Sequence, residues 1–393
     1  MLFTDEYVMK ELQYKKSIII AGDLFPNSCN SDEFFQGRIL SLFGEQICKL
    51  FADSDYSICN LEGAFSNGIE RCDKTGPIKV DRTESTRAYK NLGINCCLLA
   101  NNHITDGGHQ GVLDTMKALD EVGIDYIGAG INQDSITHSR IERIGDSNVG
   151  FYNVSETMYN RPSAEKAGVW LYDEYVVCQE IKELKAQCDF VIVLYHGGIE
   201  KFQYPSPELR KRFYRMADNG ADVVIAQHTH CIGCEENYKG SYLLYGQGDF
   251  LLNDFAPGLT DTGLIIELVL SDGHLNVNKH LVRSKDKKFV RYDDQQDLSS
   301  FVERSKMVGD EEYVWRQLQA FCDNELRLYL TAFKSPSRLR LLQKRYFPQA
   351  YKKWLFDYRK KDLMFTLHTL RSEQNRETAI VGLEHLLSKK QSN

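Results

Sequence analysis

From Ser17 to about His280 the chain alternates short apolar, β-rich runs with amphipathic stretches. The runs at 17–22, 56–60, 96–100, 149–154, 189–196, 222–227, 241–246, 263–270 and 275–282 predict strands. Helical periodicity lies between them at 33–51, 84–92, 109–122, 174–187 and 206–219. The last of these is well bounded, with Ser206 as N-cap, Pro207 at the first helical position and Gly220 just past the end. Alternating strands and helices, followed by adjacent strands, predict an α/β fold with a sheet core flanked by helices.

The pattern changes after the run Arg283, Ser284, Lys285, Asp286, Lys287, Lys288. Strand signals vanish beyond it, and 311–333 and 352–371 have helical periodicity. Charge changes there too. The 393-residue chain has 48 basic and 55 acidic residues, net −7, but 327–361 holds 11 basic residues and one acid, Asp357. An acidic body therefore carries a basic helical appendage, either a solvated face packed on that body or a patch attracting a polyanion. Its aromatic residues, Tyr346, Phe347, Tyr351, Trp354, Phe356 and Tyr358, stand at helical spacing and read as core rather than stacking platforms.

Composition narrows the class. With 42% hydrophobic residues there is ample core, and only 8 prolines exclude a low-complexity chain. No apolar run approaches the roughly 18 residues of a bilayer span, and Met1–Lys16 lacks the apolar core of a secretory signal. Eleven cysteines scattered through apolar stretches read as buried thiols in a cytoplasmic protein. Cys231 and Cys234 form a lone C-x-x-C, read as structural, and the glycines at 128–130 lack the pattern of a phosphate-binding loop.

Polar residues of ligand type recur immediately after or at the ends of the predicted strands. They are Asp23, Asn60 and Glu62, Asn101, Asn102 and His103 with Asp106, His196 with Glu200, His228 and His230, and Asp249. In an open α/β sheet, loops at the carboxyl ends of strands converge on one crevice. Each residue alone is a common cap, turn former or surface imidazole; their repetition after successive strands points to a metal site. O and N donors without thiolate favour Mn, Fe or Zn. His-x-His in an extended segment sets both imidazoles on one face. Five or six ligands suit two divalent ions about 3.5–4 Å apart, which activate water for attack.

The segments GDL (22–24), NLEG (60–63), 99–130, 195–230 and YGQGDF (245–250) resemble the CapA family of poly-γ-glutamate capsule biosynthesis, within the calcineurin-like metallophosphoesterase superfamily. The resemblance covers about 17–284, with a lead-in at 1–16 and a basic helical extension at 285–393. It implies a four-layer α/β/β/α sandwich with a two-metal centre. It places Asp23, Glu62, Asn102, His196, His228 and His230 as metal ligands, Glu62 bridging. It makes His103 the general acid, with Asp106 orienting it and Glu200 as a supporting or substrate group; Asn60, Asn101 and Asp249 are candidate substrate-binding residues. The chain departs from the superfamily at GDL, which lacks the D-x-H histidine, at Ala226-Gln227 before the His pair, and at Asp249, where the family has Asn.

The function these features imply is a metal-dependent hydrolase, in first place a phosphoesterase in capsule or exopolysaccharide biosynthesis. The alternatives are a poly-γ-glutamate factor acting on amide bonds, and a non-catalytic binder of an anionic polymer. The expected partner is a phosphate ester or an anionic polymer, with no specific nucleic acid; the pattern is compatible with a homo-oligomer.

Overall fold

The computed structural model describes residues 15–68, 77–156, 160–252, 259–285, 288–293, 297–321 and 338–357. The chain divides into two compact units, Met1–Leu318 and Gln319–Asn393. The first unit opens with β1 (Lys16–Leu24), α1 (Ser31–Phe35), α2 (Ile39–Ala52) and β2 (Tyr56–Leu61). It continues through α3 (Thr86–Leu92), β3 (Cys96–Leu98), α4 (Gly108–Val122) and β4 (Asp125–Ile127). Next come β5 (Ser139–Ile144), β6 (Ser147–Ser155), α5 (Glu174–Lys185), β7 (Phe190–His196), α6 (Pro207–Asp218) and β8 (Val223–Gln227). Then follow β9 (Glu235–Tyr238), β10 (Ser241–Leu244), β11 (Asp249–Leu251), β12 (Thr262–Ser271), β13 (His274–Lys285), β14 (Phe289–Tyr292) and α7 (Ser299–Met307).

Two sheets form. One runs β14-β13-β12-β1-β2-β3-β4, with β11 beside the end of β1; the other runs β9-β10-β8-β7-β6-β5. The strands β1 to β4 are mutually parallel, as are β6, β7, β8 and β10, so both sets of carboxyl ends carry loops onto crossover helices.

Side-chain alternation explains the layers. Along β1, Ile18 and Ile20 face Phe151, Ile192, Leu194 and Ile225 in the core between the sheets. Ile19 and Ala21 face the opposite way, onto Leu42, Phe43 and Ile47 of α2 and Leu119 of α4. In the second sheet Val191, Val193 and Tyr195 turn outward to Val177 and Ile181 of α5 and Phe213 and Met216 of α6. The result is the expected four-layer α/β/β/α sandwich. Sheets covered on both faces require the near-continuous apolar runs that made these strands readable.

The strands that the hydrophobic pattern did not predict have physical reasons to escape it. The edge strands β5 and β9 read SRIERI and EENY, with much of their polar surface in water. The short strand β14 lies beyond the basic run where strand signals cease. The single helix expected over 33–51 is two helices, and α2 itself is kinked at Gly44, where φ is 73°. The cap of α6 forms as read, Ser206 Oγ accepting from Leu209 N at 3.2 Å. In the second unit the described helices are Arg338–Tyr346 and Pro348–Phe356. The helical periodicity at 322–333 and 358–371, and Tyr358, lie outside the described residues. Among the described residues no helix is long and apolar enough to cross a membrane, and Cys231 and Cys234 are buried free thiols.

Candidate metal centre

Every one of the strand-end residues except Glu200 is buried, and together they line the seam where the two sheets end. Asp23 is the last residue but one of β1, and its neighbour Gly22 must be glycine: a Cβ there would stand 2.3 Å from the carbonyl oxygen of Gly248. The close approach of these backbones brings Asp249 into register with Asp23. Glu62 follows β2, and Asn101 to Asp106 follow β3. Across the seam His196 ends β7, and His228 and His230 follow β8.

The His pair arrives by a different route from the one expected. The strand β8 stops at Gln227, and His228 and His230 have φ of 90° and 52°. They lie in a turn rather than on one face of an extended strand. Positive φ in a non-glycine residue costs on the order of 1–3 kcal/mol and persists only where surrounding contacts enforce it. Here His228 N donates to Asp23 Oδ2 at 3.1 Å, and His230 Nδ1 pairs with Asp249 Oδ1 at 2.8 Å.

Hydrogen bonds tie the two sheets together through the site. Asn60 Nδ2 lies 2.7 Å from Asp23 Oδ1 and 3.2 Å from His196 Nδ1. The other ring nitrogen, His196 Nε2, sits 2.9 Å from Asn102 Oδ1. Asn101 donates to Leu61 O at 2.7 Å and accepts from the backbone of His103 and Ile104. The amides of Asn60 and Asn101, expected to face substrate, are thus engaged inside the protein. His103 Nδ1 lies 2.7 Å from Asp106 Oδ2, and its Nε2 is 3.7 Å from Glu62 Oε1. Glu200 is half-exposed at the rim, its Oε1 3.8 Å from His228 Nε2.

Lys79 is the residue that the sequence reading missed. Buried at 7% exposure, it sets Nζ 3.1 Å from Glu62 Oε1. Its only signal was a lone cation between apolar neighbours in Pro77-Ile78-Lys79-Val80.

The electrostatics follow from this crowding. Burial would raise the Glu62 carboxyl, but Lys79, His230, His103 and His196 hold it well below the usual carboxylate range. Burial pushes Asp23 up, helped by Glu62 and Asp249. His228 is driven down to about 3 by burial and by His230. Against burial, Asp249 and Glu62 bring His230 up to about 10. Burial and Lys79 lower His103, partly offset by Asp106. Burial also works against the Lys79 ammonium, but Glu62 and Asp249 keep it charged.

Two clusters have donors spaced to share a cation: Glu62, His228 and His230, and Asp23, His230 and Asp249, the donor atoms in each within 4.8 Å of one another. Among the described residues Glu62 Oε2, His228 Nδ1 and Asp249 Oδ2 are buried without a hydrogen-bond partner. Buried polar atoms are normally satisfied, so orphaned acceptors of O and N type in these two clusters fit divalent-ion binding.

The family model described as "Bacterial capsule synthesis protein PGA_cap" matches residues 17–254. The chain belongs to this family. Its curated relatives include the capsule biosynthesis protein CapA of Bacillus anthracis, 28% identical over 54% of this chain and 54% of that one. The PGA biosynthesis protein CapA of Bacillus subtilis is 27% identical over 55% of this chain and 58% of that one. The chain thus spans little more than half the length of these relatives. A novel phosphatase of Mycoplasma pneumoniae is similar at 13% identity and a TM-score of 0.45, over 73% of this chain and 99% of that one. Within the PGA_cap match lie all the strand-end residues described above, Lys79 and Asp249 included.

Proposed function

We propose that this PGA_cap protein is a metal-dependent hydrolase of phosphoesters, acting in the biosynthesis of an anionic capsule polymer. The observation that carries the reading is the pair of buried O/N donor clusters with orphaned atoms, the first of them reaching the His103–Asp106 pair through Glu62. A divalent centre held by Asp23, Glu62, Asn102, His196, His228 and His230 supplies Lewis acidity and lowers the pKa of water.

The chain's own residues do the rest. His103 is anchored through Nδ1 by Asp106, and its Nε2, 3.7 Å from Glu62 Oε1, is the atom that gives its proton to the departing oxygen. Burial and Lys79 make that imidazolium a readier acid. Asp106 also accepts from Lys79 N at 2.7 Å, so one carboxylate aligns both groups. Positioning and charge neutralisation supply most of the acceleration in phosphoryl transfer.

The names of the Bacillus relatives favour a second reading, attack on a γ-glutamyl amide, because the same centre can polarise a carbonyl. The test is turnover of a generic phosphomonoester and phosphodiester by Mn²⁺-loaded protein, beside a γ-glutamyl peptide. Metal-dependent ester turnover supports the first reading, and amide turnover alone replaces it with the second. Bound metal with neither activity would leave a binder of anionic polymer.

A further inference from the structure

We propose that Lys79 takes the place of one of the two cations, so that the centre holds a single divalent ion beside a fixed ammonium. The inference rests on the metal-centre reading above and refines it.

Lys79 is no surface lysine folded inward by chance. Its N–H donates to Asp106 Oδ2 at 2.7 Å, and its carbonyl accepts from Ala64 N at 3.0 Å, where Ala64–Phe65 pairs with Val80–Asp81. Backbone register therefore aims the side chain at Glu62 from a fixed base.

The two oxygens of Glu62 are unequal. Oε1 already has the ammonium at 3.1 Å, with His103 Nε2 at 3.7 Å and His230 Nε2 at 3.8 Å. Oε2 is buried and has no hydrogen-bond partner among the described residues. A carboxylate spanning two ions through both oxygens needs both available, whereas here one oxygen is taken.

The second cluster is the more engaged, with Asp249 Oδ2 its one orphaned buried atom among the described residues. His230 belongs to both candidate groups, but its Nδ1 is engaged by Asp249 at 2.8 Å, leaving only Nε2 for an ion. Asp23 accepts from Asn60 through Oδ1 and from His228 N through Oδ2. Among the described residues the orphaned atoms of the two clusters are thus Glu62 Oε2 and His228 Nδ1 on one side, against Asp249 Oδ2 on the other. Four carboxylates, Asp23, Glu62, Asp106 and Asp249, are buried here, and the Lys79 ammonium already offsets one of those charges.

Functionally, an ammonium offers three donors and no acceptor. With one on Glu62, Lys79 retains capacity to hold an anionic substrate oxygen where a second ion would otherwise bind it.

The experiment is to saturate the full chain with Mn²⁺, remove unbound ion, count metal by mass spectrometry and record the electron paramagnetic resonance spectrum. Wild type should hold about one ion per chain with the six-line signal of isolated Mn²⁺; Lys79→Met should rise toward two, with exchange coupling between ions about 3.5–4 Å apart. Two ions in wild type, or one in both proteins, would overturn the proposal. No ion in either would remove the metal-centre reading itself, and this refinement with it. Should Lys79→Met fail to fold by circular dichroism, Lys79→Gln is read in the same way.

Discussion

The two sheets contribute different chemistry to one seam. The first, through the ends of β1, β2 and β3, brings oxygen: Asp23, Glu62 and Asn102, with Asp249 delivered beside β1. The second, through β7 and β8, brings nitrogen: His196, His228 and His230. Neither sheet holds a mixed O/N donor set by itself, so the candidate donor clusters form only where the two are packed face to face. Their apolar interface and the hydrogen bonds across the seam are therefore as much a part of the site as the donors.

The exception to this division is also the largest expected loss. His103 comes from the oxygen-bearing side but is read as an acid rather than a ligand. His103→Ala should cost about 10²–10⁴-fold in kcat, the usual range for a general acid, with bound metal unchanged. Metal analysis beside kinetics checks it; equal loss of metal and rate would make His103 a ligand. The interface itself comes next. Ile192 is fully buried between the sheets, packed among Ile20, Ile58 and Phe151. Ile192→Ala should destabilise by about 2–5 kcal/mol, read by urea titration. Because the donors sit on opposite sides of that core, metal affinity should fall along with stability.

How much of this was legible follows the same division. The central strands were readable because burial on both faces writes itself as apolar runs such as Ile18-Ile19-Ile20 and Val223-Val224-Ile225. The donors stood out because they follow those runs. What stayed hidden depended on local backbone or on distant pairing. The left-handed turn of His228 and His230 carries no glycine or proline to announce it. Lys79 becomes part of the site only through the pairing of Ala64–Phe65 with Val80–Asp81, strands two residues long. Asn60 reads as one more polar group, yet the fold makes it a clip between the sheets. Asp249, expected near substrate, turns out to hold His230.

Asn60 offers the subtler way to separate the two halves. Its amide touches Asp23 of one sheet and His196 of the other without being a candidate ligand itself. Groups that orient ligands typically carry 10–100-fold of metal affinity, so Asn60→Ala should weaken metal binding by roughly that factor. Calorimetric titration with Mn²⁺ measures it. An unchanged affinity would mean that core packing alone sets the distance between the two donor sets.

The smallest effect is expected at Glu200, which reaches the imidazole side from the rim. It is half-exposed, and its Oε1 lies 3.8 Å from His228 Nε2. His228 is buried and held neutral, so the contact is no ion pair and, with Glu200 half in water, contributes no more than about 1 kcal/mol. Glu200→Gln should therefore change kcat/KM by no more than about fivefold, the factor equivalent to 1 kcal/mol, and leave metal content alone. A hundredfold loss would place Glu200 inside the working site, closing over His228 when substrate is bound. The nitrogen-bearing sheet would then supply a carboxylate after all, and the separation of oxygen and nitrogen donors between the sheets would hold only for the open state.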